Sequence, residues 1–110
     1  MFRSSVAKTP MFTTKPLIPI CGGELKLICT QGNTGNGVPA THMRFTKDGN
    51  AIPTPNWLQV NIPPNVTTRI TNRLDERHHG EYRCEAAIND NGDGKSTSLE
   101  SVTVEGCTGI

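Results

Sequence analysis

The residues of this 110-residue chain best suited to chemistry are its four cysteines, its three histidines and two small acidic clusters. The cysteines stand at Cys21, Cys29, Cys84 and Cys107, with no C-x-x-C spacing, so neither a zinc ribbon nor a thioredoxin-like redox pair is indicated. His42, His78 and His79 do not complete a ligand set with them at zinc-finger spacing. An even number of cysteines in so short a chain reads as two disulfides, and so as an oxidising compartment. Four reduced, buried thiols in an intracellular domain are the alternative. Asn65-Val66-Thr67 is an acceptor triplet for N-glycosylation, which favours the extracellular reading and marks Asn65 as the glycan site. From spacing alone, three pairings of the cysteines remain open.

Other chemistry finds little support. The sequence has no G-x-S-x-G, no glycine-rich phosphate loop and no H-E-x-x-H. A Cys–His nucleophile would need a reduced cysteine, and all four are assigned to bridges. His78 and His79 with Asp75 and Glu76 read as a solvated turn rather than a metal site, because adjacent histidines seldom turn both rings to one ion. Asp90, Asn91 and Asp93 lack the bidentate glutamate and the length of a calcium loop, and read as a hairpin turn. The expectation is a protein without catalysis, metal or cofactor.

Composition bounds the scaffold. The length suits one domain with a single core. Eleven basic residues against ten acidic ones leave +1, which argues for neither nucleic acid nor an anionic membrane as partner. No stretch approaches eighteen apolar residues, so no membrane insertion is expected. Met1–Ser5 lacks the apolar run of a signal peptide, so for a secreted chain this sequence is expected to be a piece of a longer one.

From Lys15 onward apolar and polar residues alternate in short runs. These are Leu25-x-Leu27-x-Cys29, Met43-x-Phe45, Leu58-x-Val60-x-Ile62, Tyr82-x-Cys84-x-Ala86-x-Ile88 and Val102-x-Val104. Glycine, asparagine and proline clusters separate them, notably Gly32–Gly37, Asp48-Gly49-Asn50, Pro63-Pro64-Asn65 and Asn89–Gly94. No window carries the helical period. The pattern predicts an all-β antiparallel sandwich or barrel over residues 15–107, after a loose lead-in at 1–14 and before a short tail at 108–110.

Two segments then resemble a known family. Leu25-x-Leu27-x-Cys29 is similar to the B strand of an immunoglobulin domain. His78-x-Gly80-x-Tyr82-x-Cys84 is similar to its F strand, usually Asp-x-Gly-x-Tyr-x-Cys. Phe45-Thr46-Lys47-Asp48-Gly49 resembles the Trp-x-Lys-Asp-Gly that ends strand C in I-set members. The resemblance implies an I-set-like two-sheet sandwich of about seven to nine strands, with Leu27, Phe45 and Tyr82 in the core. It implies Cys29–Cys84 as the bridge between sheets, with Tyr82 as the tyrosine corner. It also implies a strand A′ ending at Cys21, parallel to a strand G ending at Cys107, and so a Cys21–Cys107 bridge. Two residues depart from the pattern. Phe45 replaces the core tryptophan, and His78 replaces an aspartate, which leaves more of that corner to the Tyr82 hydroxyl.

Alternation turns Arg44, Thr46, Glu81, Arg83 and Glu85 outward, on the C–F–G face that the family often uses for partners. Arg44, Arg83 and Glu85 are therefore candidate contacts, although any soluble sheet bears such charges. Trp57 is expected to pack over the sheet edge, with a partner anchor as the alternative. Arg69, Arg73 and Arg77 suggest a weak basic stripe for heparan sulfate, interrupted by Asp75 and Glu76. The functional expectation is an extracellular recognition module, secreted or part of an ectodomain, in an adhesion molecule, receptor or signalling protein. Its partner would be a protein on a cell surface or in the matrix, and homophilic contact is a further expectation. The alternatives are a spacer in a matrix protein and an intracellular, muscle-type I-set domain.

Overall fold

The computed structural model describes residues 5–32, 36–52, 57–60 and 65–107. Its architecture is all-β, two antiparallel sheets packed face to face, compatible with an immunoglobulin-like sandwich. One sheet holds β1 (Met11–Lys15), β2 (Leu25–Thr30) and β6 (Asn65–Thr71), in the order β1-β2-β6. The other is built around β3 (His42–Lys47) and β7 (Gly80–Ala87). Its edges are β4 (Asn50–Ile52) and β5 (Leu58–Gln59) beside β3, and β8 (Ser96–Thr97) and β9 (Val102–Val104) beside β7.

Alternation places the core. In β2 the buried positions are Leu25, Leu27 and Cys29; in β7 they are Gly80, Tyr82, Cys84 and the Ala86-Ala87 pair. Leu27, Phe45 and Tyr82 are all essentially inaccessible to solvent. Asp48 and Gly49 both take positive φ, 51° and 86°, as a two-residue β3–β4 hairpin requires for its turn to follow the strand twist.

The cysteines form Cys29–Cys84 between the sheets and Cys21–Cys107 near one end, and none is free. Two intramolecular bridges suit an oxidising environment. The expected parallel A′–G ladder is not what joins Cys21 to Cys107. Residues 16–24 contain no strand, since Pro16 and Pro19 lack donors and Gly22-Gly23 turns the chain. Cys21 is placed instead by the end of the first sheet. Gly22 N–H donates to the Leu74 carbonyl (2.9 Å), and Leu74 N–H to the Gly23 carbonyl (2.8 Å).

The structure corrects two further expectations. Within the expected lead-in at 1–14, Met11–Lys15 is a strand in register with β2, with Phe12 and Thr14 buried. Ahead of it, Ala7 N–H donates to the Gly94 carbonyl and Lys8 N–H to the Val38 carbonyl, both at 2.8 Å. The Leu58-x-Val60-x-Ile62 run yields only the two-residue β5, which joins β3, while Ile62 lies outside the described residues. Asn65, grouped by sequence with the Pro63-Pro64-Asn65 turn cluster, instead begins β6. Thr46 does lie on the outer face, yet it is only 4% exposed. Its short side chain sits between the cross-strand partners Ala51 and Arg83, which leave it little solvent. The expected tail at 108–110 lies outside the described residues.

The corner before β7 closes on itself. Tyr82 Oη donates to the His78 carbonyl at 2.6 Å, tying the strand to the 3₁₀ turn Glu76–His78. Burial, and to a lesser degree the Asp48 carboxylate, push the Tyr82 hydroxyl up to about 12. Its folded value lies above its ordinary one of about 10, so the stabilisation is complete below pH 10 and lost as pH rises through 12. Tyr82 is the sole tyrosine, so absorbance at tyrosinate wavelengths reports it alone. The expected titration has its midpoint near 12, coincident with alkaline unfolding; a midpoint near 10 in still-folded protein would exclude this role.

Candidate recognition surface on the outer face of the second sheet

Arg44 and Glu85 face each other across the β3–β7 ladder. Arg44 Nε donates to Glu85 Oε1 at 2.8 Å, and the two side chains are only 20% and 13% exposed. Such a pair is screened less than a fully exposed one and holds its geometry better. The Arg44 guanidinium carbon lies 4.3 Å from the Trp57 ring centroid, within cation–π range. Lys95 Nζ approaches Glu85 Oε2 at 3.9 Å from the neighbouring loop.

Trp57 precedes the edge strand β5 and reaches back over Arg44 toward the turn after β7. Gly92 there takes φ 83°, and a β-carbon on it would lie 2.7 Å from Trp57 Nε1. Glycine at 92 therefore serves both the turn and the indole resting on it. Asn89 shapes the turn: its Oδ1 accepts from the N–H groups of Asn91 (3.0 Å) and Asp93 (3.2 Å), and its Nδ2 donates to Asp93 Oδ2 (2.9 Å). The half-buried Trp57 thus packs across one end of the sheet.

Of the four candidate contacts, the structure joins Arg44, Glu85 and Trp57 and separates Arg83. Arg83 Nη1 donates to the carbonyls of Ser98 (2.9 Å) and Leu99 (3.4 Å), and its Nε lies 3.5 Å from Glu81 Oε1. It props the break between β8 and β9, where Ser98 Oγ takes the Cys84 N–H at 3.2 Å in place of a ladder carbonyl. Lys95 was missed by sequence reading, because its approach to Glu85 depends on the path of the loop.

The remaining sequence candidates form local structure. Asp75 caps the 3₁₀ turn, accepting the Arg77 N–H at 2.9 Å, while His78 Nδ1 accepts the Asp75 N–H at 3.1 Å. The Arg77 guanidinium and N–H hold the Asp75 carboxyl down at about 2. Among the described residues no group of three or more His, Cys, Asp or Glu is placed to hold a metal ion. In the proposed basic stripe, Arg69 pairs with Glu24 (3.2 Å) and Arg77 with Asp75 (2.7 Å). Two of its three cations thus face a carboxylate of their own chain. Asn65 is exposed at the start of β6, on the sheet opposite to the Arg44 cluster. No helix among the described residues is long and apolar enough to cross a membrane.

Fold and bridges together define a small, disulfide-bonded, antiparallel β-sandwich. The chain matches no protein-family model and no curated protein.

Proposed function

We propose that this chain is an immunoglobulin-like, I-set-like module of an extracellular protein, binding a protein partner through the outer face of β3 and β7 without catalysis. The observation that carries the reading is the Trp57–Arg44–Glu85 cluster, an aromatic ring and a half-buried ion pair side by side on that face. Tryptophan and arginine are the residue types enriched at interface hot spots, and here the two already pack against each other without a partner. The two disulfides and the exposed Asn65 acceptor support the extracellular placement. Adhesion, receptor and signalling roles all fit such a module, since one scaffold hosts many functions.

The test separates charge pattern from stability. The double swap Arg44→Glu with Glu85→Arg restores an ion pair but reverses the polarity of the face. We expect it to fold normally and to lose at least tenfold in saturable binding to cell-surface or matrix preparations, with Trp57→Ala losing a similar amount. Binding unchanged in both variants would favour a spacer. Reversal at Arg83 is a poor probe, because it would unseat the β8–β9 break.

A further inference from the structure

Among the described residues the two sheets present four edges, and three are occupied or made of short strands. At β1 the outward Phe12 N–H donates to Glu100 Oε1 at 3.1 Å. The β4 and β5 strands are only three and two residues long, paired with Phe45–Lys47 and His42–Met43 of β3. The β8 and β9 strands are two and three residues long, separated by residues 98–101. The fourth edge, β6, runs seven residues, and among the described residues it has β2 on one side and no strand on the other. An uncovered run of main-chain donors and acceptors is a template for another strand.

We propose that a second copy of this chain adds to that edge, antiparallel, about a two-fold axis through Thr67, and that a glycan on Asn65 opposes the association. The β2–β6 register shifts between Leu25 and Lys26, so the regular part of β6 is Asn65–Arg69 and its centre is Thr67. Antiparallel pairing about that centre sets Thr67 against Thr67 of the second copy, Val66 against Thr68, and Asn65 against Arg69. The half-buried Val66 and Thr68 continue the inner strip of one sheet into the next, while the exposed Asn65, Thr67 and Arg69 share the outer face. Arg69, the one charge in the stretch, then meets a neutral amide. Parallel, in-register pairing would set Arg69 on Arg69, which disfavours that orientation. This self-matching selects a second copy over a strand of unrelated sequence. The stretch is also rich in β-branched residues, which fit a pleated ladder.

The same five residues contain the acceptor triplet, so a glycan on Asn65 would stand at both ends of the shared ladder. Five paired residues bury less than a stable complex requires, so the association is weak and is populated only at high protein concentration. This inference is independent of the proposed recognition face, which lies on the other sheet.

The experiment compares glycosylated protein with Asn65→Gln, both disulfide-bonded, by sedimentation equilibrium up to millimolar concentration. A reversible dimer is expected for Asn65→Gln and a monomer for the glycosylated chain. Thr67→Lys, added to Asn65→Gln because either change abolishes the acceptor, puts like charges on the axis and raises the dissociation constant at least fivefold. Thr67→Cys in the same background cross-links the two copies on mild oxidation, since directly opposed β-carbons lie roughly 4.5–5.5 Å apart. The exposed control Glu105→Cys does not, and unchanged thermal unfolding of each variant verifies its fold. A monomer at every concentration overturns the proposal, as does a dimer indifferent to Thr67→Lys or to the glycan.

Discussion

Phe12→Ala and Phe45→Ala are each expected to lower the free energy of unfolding by about 3–5 kcal/mol, the usual loss for a buried phenylalanine. Both residues are buried, at 4% and 0% exposure. Phe12 stands opposite Cys29 in the β1–β2 register, and Phe45 opposite Cys84 in the β3–β7 register. Each ring therefore accompanies one half of the bridge between the sheets, and the rings meet with centroids 6.4 Å apart and planes at 60°. Where the immunoglobulin pattern that the sequence resembles has one tryptophan, this chain places two phenylalanines, one from each sheet. A tilted pair adds about 0.5–1.5 kcal/mol beyond the area that it buries, so the double variant should cost less than the sum of the singles by that amount. Urea unfolding of the four proteins with disulfides intact measures both quantities. A loss under 1 kcal/mol at Phe12 would show β1 to be peripheral, because total stability in small domains is only about 5–15 kcal/mol.

That strand was hidden in the sequence, as was β6, whose inward positions Val66, Thr68 and Ile70 also break the apolar alternation. Met11–Lys15 reads Met-Phe-Thr-Thr-Lys between two prolines, and its inward positions are Phe12 and Thr14. A buried threonine defeats the apolar alternation by which the other strands are recognised. It is tolerated because Thr14 Oγ1 donates to the Pro16 carbonyl at 2.7 Å. By contrast β2 and β7, and β3 as far as Phe45, carry apolar residues at their inward positions, and their faces were legible from the alternation. The Leu58–Ile62 run shows the opposite failure. Its residues alternate in sequence, yet among the described residues only Leu58–Gln59 forms a strand, paired with β3 and exposed at both positions.

The candidate recognition surface was legible to the same degree. Strand alternation alone brings Arg44 and Glu85 to one face, and the ladder makes them neighbours. Whether Arg83 is free or engaged depends on the β8–β9 break, which no residue spacing announces. Trp57 sits ahead of a two-residue strand, so its position over Arg44 follows from a long-range approach to Gly92. Sequence periodicity carries local geometry, and such contacts are set by how loops from distant segments meet.

The two disulfides should contribute unequally, and loop length is not the reason. Cys29–Cys84 spans a separation of 55 residues and Cys21–Cys107 one of 86. In the chain-entropy model these loops are worth about 4.2 and about 4.6 kcal/mol, a difference of roughly 0.4 in favour of the outer bridge. Packing reverses the order. Cys29 and Cys84 are fully buried beside the phenylalanine pair, so their replacement by alanine leaves a void among Phe12, Phe45 and the bridge site. Cys21 is exposed and Cys107 lies at the rim at 7% exposure, where solvent and neighbouring chain can close the space. The expected outcome is that Cys29→Ala/Cys84→Ala costs about 5 kcal/mol or more and leaves little folded protein at 37 °C. Cys21→Ala/Cys107→Ala should cost about 2–4 kcal/mol and remain folded with a lower Tm. Circular dichroism melts of the two double variants decide the matter. If the outer pair proves the more costly, loop closure outweighs core packing, and the molecule's cohesion lies in tying its ends together rather than in the bridge between its sheets.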